Sequence, residues 1–175
     1  MDIRKLKVVI KNQAKQEEPM APVRAYVSSY RLKTFHVELV KDPAVKPLGE
    51  STRSSYDIEP MVRAIYRKLD ADKEHFTLLA CNNKNRVVGY KIVSTGSLTA
   101  TMVHPREVWR SALHLCAAAV IFVHNHPSGD PAPSFEDKDL TKRLKEVGEI
   151  IGIRVLDHIV LGDGIFYSFS DRGQL

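Results

Sequence analysis

The sequence predicts a mixed α/β (α+β) fold in which a central mixed β-sheet is covered by helices. Three observations lead there. Beyond residue 56, β-rich runs alternate with amphipathic stretches of helical period. The run Cys116–Val123 is apolar without alternation, the pattern of a strand buried on both faces. A length of 175 residues supports one domain with a real core.

The elements follow in chain order. Residues 1–20 alternate charged and apolar side chains weakly and include the polar stretch Asn12–Glu18. Val, Tyr and Phe content predicts strands at Val23–Ser28 and Thr34–Val40. Lys41–Ser55 reads as a linker, with two prolines, one glycine and four Ser/Thr. The expected organisation is therefore a basic N-terminal segment, 1–55, ahead of a module at 56–175. In the module, Pro60 at a first helical position opens an amphipathic helix through Leu69, with Met61 and Ile65 on its apolar face. Strands His75–Cys81 and Arg86–Ser94 flank the turn Asn82–Asn85 as a hairpin. Pro105 starts a helix over Arg106–Leu115, and Ala117–His124 is the buried strand. The loop Asn125–Pro133 leads into a helix over 135–150 with Leu140, Leu144 and Val147 inward and Gly148 and Gly152 marking its exit. Strands Arg154–Leu161 and Ile165–Phe169 flank Asp163-Gly164, a hairpin turn signal.

Bulk properties narrow the function classes. Hydrophobic residues make up 43% of the chain and charged ones 27%, as in ordinary globular proteins. The longest apolar run is too short to span a bilayer, and Met1–Lys5 lacks the apolar core of a secretory signal. Cys81 and Cys116 form no CxxC pair, which argues against a disulfide scaffold and fits a cytoplasmic location. The net charge of +5 is concentrated in residues 1–50, where ten Lys/Arg face six Asp/Glu. Such a surplus can touch nucleic acid, although a solvated lead-in accounts for it more simply.

The segment from His124 to Asp137 carries the chemistry. His124 and His126 are two apart at a strand end, so both side chains point to one face and can reach one ion. Asp137 returns a carboxylate from the first turn of the next helix. Two His and one carboxylate form a hydrolytic zinc set that leaves a position open for water. Ser134 and Asp137 are also spaced as a capping box, which needs no catalysis. Both readings can hold, because the cap fixes where Asp137 sits. Spacing excludes other His-x-His chemistries. No Asp-His follows the pair, the chain is too short for an amidohydrolase barrel, and there is neither an HExxH helix nor the His-x-Glu and Pro-Cys-x-x-Cys of a zinc deaminase.

His-x-His, seven residues, Ser, two residues, Asp resembles the JAMM (MPN-type) motif. The longer text HNHPSGDPAPSFED is similar to the bacterial RadC family, as are Val103–Val108 and Leu156–Val160. The resemblance covers roughly residues 56–175. It implies an MPN-type sandwich, grouped with cytidine-deaminase-like folds, and a JAB-type zinc metalloprotease that hydrolyses a peptide or isopeptide bond. RadC-like chains are similar in carrying a helix-hairpin-helix region before the module; here only the short basic segment precedes it. The resemblance further implies a glutamate on an earlier strand that acts on water. Glu74 takes that place, Glu107 is its rival, and Ser134 becomes an oxyanion donor.

Two other functions are open: a DNA-associated module, in line with the family's DNA-repair label, and an MPN domain used for assembly without turnover. For the first, Lys138, Lys142, Arg143 and Lys145 lie on the long helix, although a solvated face interleaved with Asp137, Asp139 and Glu146 explains them too. His104 reads as a cap, Asp157 and His158 as a satisfied core pair or a support for the ligands, Trp109 as packing, and Cys116 as a small hydrophobe opening the buried strand.

Overall fold

In the computed structural model of the chain, residues 54–96 and 103–175 are described in full and residues 5–11 and 36–42 as backbone strands. Strands β1 (Lys5–Lys11) and β2 (His36–Asp42) pair antiparallel, with Lys5 opposite Asp42. The strand expected at Thr34–Val40 thus begins two residues later, and the one expected at Val23–Ser28 lies outside the described residues.

Helix α1 spans Ser55–Tyr66 and starts five residues ahead of the expected Pro60. The Ser54 hydroxyl accepts from the Asp57 N–H, and the Asp57 carboxylate accepts from the Ser54 N–H. This reciprocal cap satisfies two donors at once, and it sets the start instead of the proline, which falls in the second turn. The helix also ends three residues before Leu69. Tyr66, its last residue, donates through its hydroxyl to Val123 O and lies within hydrogen-bonding distance of His75 O and Thr77 Oγ1. Burial raises that phenol's pKa.

A five-stranded sheet follows, built from β3 (His75–Cys81), β4 (Val87–Thr95), β5 (Ala119–Asn125), β6 (Arg154–Leu161) and β7 (Phe166–Ser168). Its order is β4-β3-β5-β6-β7, antiparallel throughout except for the parallel pair β5–β6. That pair is joined through α3 (Phe135–Ile151), and α2 (Pro105–His114) precedes β5. The expected mixed sheet covered by helices is the observed architecture.

Alternation along the strands sorts the core into two faces. Phe76, Leu78, Val120 and Phe122 pack with Val108, Trp109 and Leu144 from α2 and α3. Leu79, Ile121, Val123 and Ile159 pack with Ile58 and Val62 from α1. The result is three layers, with β3 and β5 buried on both sides.

Three expectations need correction. The buried strand begins at Ala119 rather than Ala117. Cys116 is exposed in the turn after α2, with φ +50, so it opens no strand. Gly148 lies inside α3 and does not mark its exit: a Cβ there would stand 2.7 Å from the Ile153 carbonyl and 2.9 Å from the Trp109 ring. Glycine is needed there for close helix packing, whereas Gly152, with φ +74, is the left-handed C-cap. The hairpin strands agree to within a residue or two, with β4 starting at Val87 and β7 trimmed to three residues.

Candidate metal centre

His124 lies near the end of β5, on the face of Val120 and Phe122 that is covered by α2 and α3. His126 follows just beyond the strand, its N–H donating to Leu161 O at 2.9 Å. The chain then turns at Gly129, whose φ is +84, and Ser134 caps α3. Asp137 N donates to Ser134 Oγ at 3.0 Å, and Asp137 Oδ2 accepts from Ser134 N and from Ser134 Oγ, both at 2.7 Å. Cap and ligand readings therefore coexist: the cap holds the carboxylate that the strand end needs.

The three side chains converge. His124 Nε2 stands 3.1 Å from His126 Nε2 and 3.2 Å from Asp137 Oδ1, and His126 Nε2 stands 3.4 Å from Asp137 Oδ2. Two donor atoms on a tetrahedral zinc with bonds of about 2.0–2.2 Å lie roughly 3.3–3.6 Å apart. His124, His126 and Asp137 can thus hold one metal ion.

The outer ring nitrogens are engaged as well. His126 Nδ1 lies 2.7 Å from Asp130 O, which can only accept, so Nδ1 carries a proton and Nε2 is the atom left to face the site. His124 Nδ1 lies 2.8 Å from His158 Nε2. Asp137 is held well below the usual carboxylate range. Burial pushes it up, but hydrogen bonds to His124 and His126 outweigh that. His126 is raised, first by its hydrogen bond to Asp137, against an opposing effect of burial. The pair behaves as a seat for positive charge, which a proton occupies when no ion is bound.

The remaining candidates have the following surroundings. Glu74, one residue before β3, contributes the smallest part of the field that raises His126. Glu107 instead pairs with Arg110 at 2.5 Å and Arg106 at 3.5 Å on α2. His104 is a cap, as expected, its Nδ1 accepting from Arg106 N. Trp109 packs at 4% exposure. Asp157 and His158 are not a side-chain pair. Asp157 accepts from the His158 backbone N–H, Ser168 Oγ and Ser170 N, while the His158 ring turns to His124. His158 is fully buried, and burial pushes its pKa well down.

Reading the sequence missed Thr141 and Asn125. Thr141, one helical turn after Asp137, lies against His158. The Asn125 side chain accepts from His75 N and donates to Lys73 O, pinning the end of β5 to the entry of β3. Arg143 is paired with Asp139, whereas Lys138, Lys142 and Lys145 line a cavity of about 390 Å³ beside Phe169. On the other side, His126 opens onto a cleft of about 570 Å³ bounded by Tyr66, Arg67, Asn125 and the glycines Gly129 and Gly162.

Comparison with known proteins identifies the family. A family profile described as RadC-like JAB domain matches residues 47–174. The chain belongs to this family. Similar proteins include a UPF0758 protein of Geotalea uraniireducens, 54% identical over 106 residues, which are 61% of this chain and 46% of that protein. A UPF0758 protein of Trichlorobacter lovleyi is 57% identical over the same shares. One of Desulfitobacterium hafniense is 45% identical over 134 residues, 77% of this chain and 57% of that protein. The chain spans about half the length of the curated relatives it matches. The RadC-like JAB fold, a family that includes metalloproteases, is compatible with a metallohydrolase. Among the described residues no helix is long and apolar enough to cross a membrane.

Proposed function

We propose that this RadC-like JAB domain is a zinc-dependent metallopeptidase that hydrolyses a peptide or isopeptide bond. One observation carries the reading: two imidazole nitrogens and a carboxylate converge within 3.1–3.4 Å, and one of the two rings, His126, also lines a cleft. His124, His126 and Asp137 would hold the ion. When bound, zinc supplies a water with pKa near about 7 and a Lewis acid for the scissile carbonyl.

The chain's own groups do the rest. The cleft beyond His126 takes the polypeptide, with Tyr66, Arg67 and the backbone at Gly129 and Gly162 along its walls. Glu74 accepts the proton of the attacking water and passes it to the leaving amine. The Ser134 hydroxyl, which here donates to Asp137, turns to the developing oxyanion, a contribution of about 3 kcal/mol for donors of this kind.

Two variants test this. His126→Ala abolishes stoichiometric zinc by elemental analysis. Glu74→Gln keeps the zinc and lowers turnover of a peptide or isopeptide substrate by about 10²–10⁴-fold. Unchanged zinc content in the first variant, or full activity in the second, refutes the corresponding assignment.

A further inference from the structure

We infer that His158 and Thr141 are positioning residues that fix, before any ion arrives, which nitrogen of His124 presents its lone pair to the site. The inference deepens the proposed metal centre and rests on that reading for its purpose.

The argument is a chain of donors and acceptors with one consistent direction. Thr141 Oγ1 lies 2.5 Å from the Asp137 backbone carbonyl, which can only accept, so the hydroxyl proton points there. Thr141 Oγ1 also lies 2.6 Å from His158 Nδ1, and with its proton spent it must accept. His158 Nδ1 therefore carries a proton. The ring is fully buried among Phe76, Phe122 and Phe169, where a charged imidazolium is costly, so the other nitrogen, Nε2, is bare. His158 Nε2 stands 2.8 Å from His124 Nδ1, which must then donate. In neutral His124 the lone pair is therefore on Nε2, the atom that faces His126 and Asp137.

The opposite direction fails. If His124 accepted from His158, Thr141 would have to donate to His158 Nδ1. Its oxygen would then face the Asp137 carbonyl at 2.5 Å with no proton between two acceptors. The relay also closes on itself, since the residue that terminates it, Asp137, is another proposed ligand. A shift of α3 would disturb the carboxylate and the tautomer of His124 together.

The test uses the full chain, metal stripped with a chelator, with ¹⁵N-labelled histidine in alkaline buffer. Two-bond ¹H–¹⁵N correlations should show His124 as the pure Nδ1–H tautomer. Thr141→Val should turn it into a mixture and weaken zinc binding by about 10–100-fold, as loss of a group supporting a metal-bound histidine does elsewhere. Thr141→Ser, which keeps the hydroxyl, should restore both. An Nε2–H tautomer of His124 in the unmutated chain overturns the inference, and so does a Thr141→Val protein with tautomer and affinity unchanged. The wild-type spectrum decides the direction even if the valine variant does not fold. A pure Nδ1–H tautomer in a chain that binds no zinc leaves the relay standing and removes the metal-centre reading, so the two failures are distinct.

Discussion

Helices α1 and α3 begin alike and end in different roles. Each takes a serine at the N-cap and an aspartate three residues on, and each closes the reciprocal box, with Ser N to Asp Oδ2 at 3.1 Å in α1 and 2.7 Å in α3. Asp57 is exposed at the start of the layer that covers one face of the sheet. Asp137 stands on the other face, where β5 ends in His124 and His126, and its carboxylate meets both rings. The same local motif is a plain cap in one place and a candidate ligand in the other. What differs is the strand end opposite, which the four residues of the motif do not encode.

The largest effect should separate the two aspartates outright. Asp137→Asn is expected to lose stoichiometric zinc and all hydrolysis, while Asp57→Asn retains both, as read by elemental analysis and a peptide assay. Equal zinc in the two variants would erase the distinction between the boxes.

A second separation lies in pH dependence, measured by thermal melts of metal-free protein. The His126 pKa is raised above 6.5, so the folded state holds that proton more tightly than the unfolded chain does. Its stabilisation is complete below 6.5 and disappears as pH climbs through the folded-state value. Asp137 is depressed, so its contribution is present above the ordinary carboxylate range and lost only as pH falls through the lower folded value. Metal-free protein should therefore lose stability on the alkaline side of 6.5, and His126→Gln should flatten that slope. Zinc affinity should move the other way, rising with pH as the competing proton leaves. A flat alkaline limb in the unmutated chain would mean that the α3 box holds no charge seat.

The smallest effect is in the caps themselves. Ser54→Ala and Ser134→Ala should each cost about 1 kcal/mol by denaturant titration of metal-free protein. Only Ser134→Ala should also weaken zinc binding, because its hydroxyl donates to the carboxylate that faces the histidines. Equal zinc affinity in the two would reduce Ser134 to a cap.

Much of this was legible in the residues. Period-two alternation placed His124 and His126 together, and the Ser134 box brought Asp137 to a helix start, so the converging set could be read from local rules alone. The start of α1 was misjudged because Pro60 and the box at Ser54 are competing signals, and the one satisfying two donors prevails. Which of Asp157 and His158 supports the ligands was not legible, for a different reason. β5 and β6 pair Val120 with Val155 but Ile121 with Asp157, a one-residue shift in register. Simple alternation from Val155 would put residues 157 and 159 on the α2/α3 face. The shift puts His158 there instead, beside Phe122. Strand pairing decides this, and no local pattern in β6 announces it.

That shift gives Leu156 a significance out of proportion to its chemistry. It is the spare residue by which β6 changes step: Val155 and Asp157, on either side of it, face consecutive residues of β5. Deleting it would remove the irregularity and let simple alternation run from Val155 through Asp157 to His158, with His158 still beside Phe122. A gene one codon shorter at this point would therefore still set His158 against His124, and tolerance of that loss by the centre would read out the irregularity in β6 directly.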